Sequence, residues 1–179
     1  MKHVAFLRGM NLGRRRITNE QLCAEFTAMG LGSAAAFLAS GNVIFDAEDV
    51  TAADLATHIE AELERSLGWV VPTFVRRGVE VRAIAAREVF ARELEHTAGR
   101  IQVAMLGAEP SEAARREVLD LATRDDYLEL HGSELYWLPR GNLSDSQLDF
   151  KRMEAALGVM TIRTRRTLER IAAKFLAGE

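Results

Sequence analysis

One order of elements runs through this chain twice, and it narrows the available folds more than any single motif does. Hydrophobic periodicity predicts a strand at about 2–8, a polar loop, and a helix at about 19–30, opened by Thr18 or Asn19 as N-cap and closed by Gly30. A hairpin follows, Ala34 to Ala39 and Val43 to Asp46, around Ser40-Gly41-Asn42, a turn of the Gly/Asn type that hairpins use. A helix at about 52–66, capped by Thr51 with Asp54 in its first turn and ending near Gly68, leads to a strand from Val71 to Arg76. That order is β-α-β-β-α-β, the ferredoxin-like arrangement.

The second half repeats it. Ile101 to Leu106 reads as a strand and Ser111 to Ala122 as a helix. Tyr127 to Leu130 and Glu134 to Leu138 form a hairpin across His131-Gly132-Ser133, followed by a helix from Ser146 to Leu157 and a strand from Met160 to Arg163. A last helix at about 167–177 is appended. The expected fold is therefore α+β: two tandem ferredoxin-like subdomains with antiparallel sheets, 1–77 and 99–179, joined by a helical connector at 78–98. That connector is too poor in Gly, Pro and Ser for a free linker. No repeat exists at the level of individual residues, so the duplication is one of pattern.

Val4-Ala5-Phe6-Leu7 and Val103-Ala104-Met105-Leu106 are apolar at every position, whereas a half-exposed antiparallel strand alternates. Helices are expected to cover one face of each sheet, and the second half or a second subunit the other. With 48% apolar residues in 179, the chain can bury such cores.

In a β-α-β-β-α-β sheet the first and second strands run parallel with the third between them. The loop after the first strand and the turn between the second and third therefore meet at one edge. This juxtaposes Arg8, Gly9, Asn11 and Gly13, followed by Arg14-Arg15-Arg16, with Ser40, Gly41 and Asn42. Glycine lets backbone N–H groups approach a ligand and arginine grips carboxylate or phosphate with a fork of donors, so the chemistry suits an anion. The competing reading is structural: glycines in turns, Asn11 and Asn42 satisfying local backbone, and a solvated arginine run. Gly9-x-x-x-Gly13 is neither the dinucleotide fingerprint nor a phosphate-binding P-loop. The same topology brings Pro139-Arg140-Gly141-Asn142 to the edge occupied by Arg163, Thr164 and Thr167, a second, basic and hydroxyl-bearing candidate. Ser144-x-x-Gln147 matches a capping box, and Thr164 or Thr167 suits the cap of the last helix.

Leu7-Arg8-Gly9-Met10-Asn11-Leu12-Gly13 and Ser40-Gly41-Asn42-Val43-Ile44-Phe45 are similar to the two most recognisable stretches of the bacterial family called domain of unknown function 1697, and the element order resembles it throughout. The C-terminal half departs from that family's pattern. Where relatives show Gly-x-x-x-Ser-Lys-Leu and Thr-x-Arg-Asn-Trp-Asn-Thr, this chain has Gly141 to Leu148 and Thr161 to Thr167, without the lysine, the tryptophan or either asparagine. The resemblance implies no activity.

Other chemistries find little footing. His3, His58, His96 and His131 show no ligand spacing, and no motif calls for a metal or an organic cofactor. Asp54, His58 and Glu62 line one helix face, as a solvated surface does. Cys23 stands alone among Leu22, Phe26 and Met29, a small core filler, and rules out a disulfide within the chain. A net charge of −3 and strands lacking the basic, glycine-rich RNA-binding pattern disfavour nucleic acid, despite Phe6 and Phe45 at suggestive positions. The apolar start, broken by Arg8-Gly9, is too short for a signal peptide or a membrane span, which points to the cytoplasm. Three readings remain: a binder of an anionic small molecule, a nucleic-acid module, and a self-associating structural or regulatory protein.

Overall fold

The computed structural model describes the chain except for residues 12, 14, 39, 40, 49, 98, 142 and 179 and the side chains at 96 and 97. It forms two compact units. The first comprises Met1–Ala83 with Arg170–Glu179, the second Ile84–Glu169. The division falls inside the expected connector, which is helical as α3 (Gly78–Ala86) and α4 (Arg92–Thr97), and inside the last helix.

In the first unit, β1 (Lys2–Leu7), β2 (Gly32–Ala36), β3 (Asn42–Asp46) and β4 (Thr73–Arg77) form one sheet in the order β2-β3-β1-β4, antiparallel throughout. Helices α1 (Asn19–Ala28) and α2 (Ala52–Leu67) supply the crossovers. Their starts follow from the capping chemistry. The Thr18 hydroxyl accepts the Gln21 N–H at 3.1 Å and the Gln21 side chain accepts the Thr18 N–H at 2.9 Å, a complete capping box; Thr51 accepts the Asp54 N–H at 3.1 Å. Gly68 closes α2 in the left-handed conformation, its N–H reaching the Glu64 carbonyl. One face of the sheet, with Ala5, Leu7, Val43 and Phe45, packs in a single cluster with Leu22 and Phe26 of α1 and Leu55, Ile59 and Leu63 of α2. Val4, Phe6, Ile44 and Phe74, which alternate with them, are buried too, as the doubly apolar strands require.

The second unit repeats the plan. β5 (Gln102–Leu106), β6 (Asp126–His131), β7 (Glu134–Pro139) and β8 (Met160–Thr164) pair antiparallel in the order β6-β7-β5-β8, with α5 (Glu112–Leu119) and α6 (Phe150–Leu157) as crossovers. α7 (Arg165–Phe175) follows directly. Both halves are thus ferredoxin-like.

One helix starts later than its sequence suggests. Ser144 lies in a short 3-10 turn, Leu143–Asp145, and the N-cap of α6 is Asp149, whose carboxylate accepts the Arg152 N–H at 3.0 Å. The cause is Ser146, which donates to Asp126 at 2.8 Å while accepting the Leu148 N–H at 3.2 Å, and so holds the chain out of helix. β2 also ends early, at Ala36, because Leu38 takes a left-handed φ of 60°.

Candidate functional site

The hairpin turn and the β1–α1 loop meet as the topology demands. The Leu7 N–H donates to the Gly41 carbonyl at 2.8 Å, and the Arg8 N–H to that of Pro72 at 2.9 Å. Gly41, buried with φ 72°, leaves no room for a side chain: a Cβ there would lie 2.8 Å from Met10 Cγ, 3.0 Å from Leu7 Cβ and 3.2 Å from the Leu7 carbonyl oxygen. Glycine is therefore what lets the turn seat on the loop. Asn42 is fully buried and closes the hairpin. Its amide donates to the Phe37 carbonyl at 2.9 Å, while the Phe37 N–H donates to the Asn42 carbonyl at 2.9 Å. Asn11 is exposed and its side-chain oxygen accepts the Ile17 N–H at 3.3 Å, shaping the loop toward α1.

Arg8 is half-buried at this junction, Gly9 and Gly13 have φ of 73° and 61°, and nothing crowds Gly13. Ser40 lies outside the described residues. From Met1 to Asn19 the sequence holds Lys2, Arg8, Arg14, Arg15 and Arg16 and no carboxylate side chain, in a chain whose net charge is negative. The guanidinium of Arg15 lies 5.9 Å from the centre of the Trp69 ring.

At the second candidate, the Gly99 N–H donates to the Pro139 carbonyl at 2.6 Å and the Arg165 N–H to that of Ile101 at 2.9 Å, so the ends of β7 and β8 flank the start of β5. The side chains diverge from there. Arg140 borders a cavity of about 210 Å³ whose other lining includes Asp125, Asp126 and Asp145. Arg163 is 9% exposed and its guanidinium donates to Thr161 Oγ1 at 2.9 Å and to the Ile162 carbonyl at 2.8 Å; burial pushes its pKa down to about 10. Thr164 caps α7 by accepting the Thr167 N–H at 3.1 Å, with the two hydroxyls 2.9 Å apart. Asn142 lies outside the described residues.

Two features escape the sequence reading. Asp126, at the start of β6, is 1% exposed and accepts hydrogen bonds from Trp137 Nε1 at 2.8 Å, the Ser146 hydroxyl at 2.8 Å and the Thr123 hydroxyl at 3.0 Å. A cavity of about 680 Å³ opens at the far edge of the first sheet, beside His3, Glu48, Thr51, Arg77 and Glu80. Its charges are mixed. Desolvation raises the Glu80 carboxyl, but hydrogen bonds from the Arg77 side chain and backbone, both at 2.8 Å, hold it below the usual glutamate range. Among the described residues no group of His, Cys, Asp and Glu could hold a metal ion, and no helix is long and apolar enough to cross a membrane.

Residues 1–136 match the sequence profile of the family described as "Protein of unknown function (DUF1697)". The chain belongs to this family. The DUF1697 match takes in both stretches at Leu7–Gly13 and Ser40–Phe45, while the divergent Gly141 and Thr161 segments lie beyond it. The solved structure of conserved bacterial protein SP0830 from Streptococcus pneumoniae is similar over 96% of each chain, with a TM-score of 0.74 and 18% identity, a likeness of fold. No curated protein matches the chain.

Proposed function

We propose that this protein binds an anionic small molecule, phosphate- or carboxylate-bearing, where the Arg8–Gly13 loop meets the Ser40–Asn42 turn. One observation carries the reading. The Leu7–Gly41 contact, open only to glycine, seats the turn on a loop in which Arg8, Arg14, Arg15 and Arg16 occur without a carboxylate side chain between Met1 and Asn19. Guanidinium groups beside backbone free of Cβ atoms favour oxyanions, which accept forked hydrogen bonds. Asn42 and Gly41 shape the site by holding the turn, and Arg8 is the recognition group.

The test is a thermal-melt screen of nucleotides, sugar phosphates and carboxylates. A ligand at a hundred times its dissociation constant stabilises the fold by about 2.7 kcal/mol, a rise of several degrees in Tm. Arg8→Ala should abolish that rise and leave the protein folded. A hit that the Arg8→Ala variant binds normally would move the site elsewhere.

A further inference from the structure

We propose that the ligand of this site is a polyanion of the polyphosphate type, and that Arg170 and Lys174 of α7 hold its far end; this rests on the reading of the Arg8 loop as an anion site. The residue that joins the two is Phe37. It follows β2 on the approach to the turn, exchanges hydrogen bonds with Asn42, and is 8% exposed. The C-terminal part of α7, which belongs to the same unit, closes on it. The Phe175 ring meets Phe37 edge-on at 5.7 Å, Arg170 Cζ lies 5.0 Å from the centre of the Phe37 ring, and Lys174 Nζ lies 5.7 Å from that ring and 5.0 Å from that of Phe175.

A cation resting on an aromatic face keeps its charge and has its position fixed, and among the described residues neither Arg170 nor Lys174 forms an ion pair. Both are exposed. The hairpin therefore carries cationic groups on each side: the Arg8 loop after β1, and Arg170 with Lys174 beside Phe37. Asn42 pairs with Phe6 of β1 on one side and bonds Phe37 on the other. Two strand spacings, or about 10 Å, thus separate the β1 backbone from that of Phe37, on whose ring the α7 cations rest. One phosphate is too small to engage both at once. A chain of phosphoryl groups, reached from each side by long side chains, matches the span and the charge.

The experiment measures binding of inorganic phosphate and of tripolyphosphate by calorimetry at constant ionic strength, for the wild type, Arg8→Ala, the double variant Arg170→Ala/Lys174→Ala, and Arg124→Ala, whose side chain is 91% exposed in the other unit. Tripolyphosphate should bind the wild type more tightly than phosphate. The double variant should lose about tenfold or more in tripolyphosphate affinity and leave phosphate affinity within about twofold. Arg124→Ala should change neither. A double variant that weakens neither probe, or both equally, overturns the two-ended site, as does an equal loss from Arg124→Ala, which would signal non-specific attraction. If Arg8→Ala weakens neither probe, the Arg8-loop reading itself fails; if it weakens both while the double variant is inert, only the extension fails. Failure of the wild type to bind either probe overturns both.

Discussion

Replacing Gly41 by alanine separates two effects that usually come together. The first is conformational: at φ 72° an L-residue is strained by about 1–2 kcal/mol. The second is steric. The new methyl would lie 3.0 Å from Leu7 Cβ and 3.2 Å from its carbonyl oxygen, and Leu7, 1% exposed in β1, cannot retreat. Overpacking of this kind adds about 1–3 kcal/mol, so Gly41→Ala should destabilise by about 2–5 kcal/mol. Gly68→Ala is the control within the same unit, because Gly68 has φ 79° but nothing within 4 Å of the added atom. It should show the conformational effect alone. Urea titration reads the difference directly: about 2 kcal/mol between the variants is a midpoint shift of about 1 M at an m-value of roughly 2 kcal/mol/M. Equal losses from the two substitutions, at unchanged m, would refute the claim that the turn is pressed against β1.

Asp126→Ala should cost about 2–4 kcal/mol and alter Trp137 fluorescence, since it strands a buried indole N–H and two hydroxyls; an unchanged urea midpoint would contradict that. Thr18→Ala and Thr51→Ala should each cost about 1 kcal/mol by the same titration. At Asp46, desolvation raises the carboxyl but hydrogen bonds from Lys2 and Ser33 and the Lys2 charge bring it below the usual aspartate range. Its stabilisation is thus present above the ordinary aspartate pKa and lost as pH falls through the lower folded value. Asp46→Asn should shallow the acid limb of stability by less than about 1 kcal/mol, because the pair is about one-third exposed. Mixed-sequence RNA and single-stranded DNA should bind weakly at physiological salt in fluorescence anisotropy, in keeping with the burial of Phe6 and Phe45; sub-micromolar, salt-sensitive binding would show that the arginine clusters act as a nucleic-acid surface.

The fold was legible because its signals are local. Gly41 and Gly132 mark hairpin turns by a conformation that other residues avoid, Thr18 and Thr51 mark helix starts by short-range bonds, and strand order then follows from the repeated pattern. The meeting of the Arg8 loop with the Gly41 turn is a consequence of that order. What escaped depends on partners distant in sequence. Ser144 satisfies a capping pattern on paper, yet Ser146 bonds Asp126 of β6 and delays the helix to Asp149. The same bond, with that from Trp137, gives Asp126 a buried role that its Asp-Asp neighbourhood conceals. Phe37 and Phe175 stand near opposite ends of the chain, and no periodicity links them.

The irregular β2 bears on edge-to-edge pairing of the first sheet. Gly32-Ser33-Ala34-Ala35-Ala36 is an edge strand whose pairing with β3 shifts between Gly32 and Ala35, and Ser33 takes a left-handed φ of 49°. A strand from another molecule that approached this edge would meet a regular template only at Ala35 and Ala36, with side chains too small to interlock across sheets. Such a kinked, feature-poor border discourages amyloid-like stacking during folding, when the border is most accessible, and steers any sheet-to-sheet association of copies toward other surfaces.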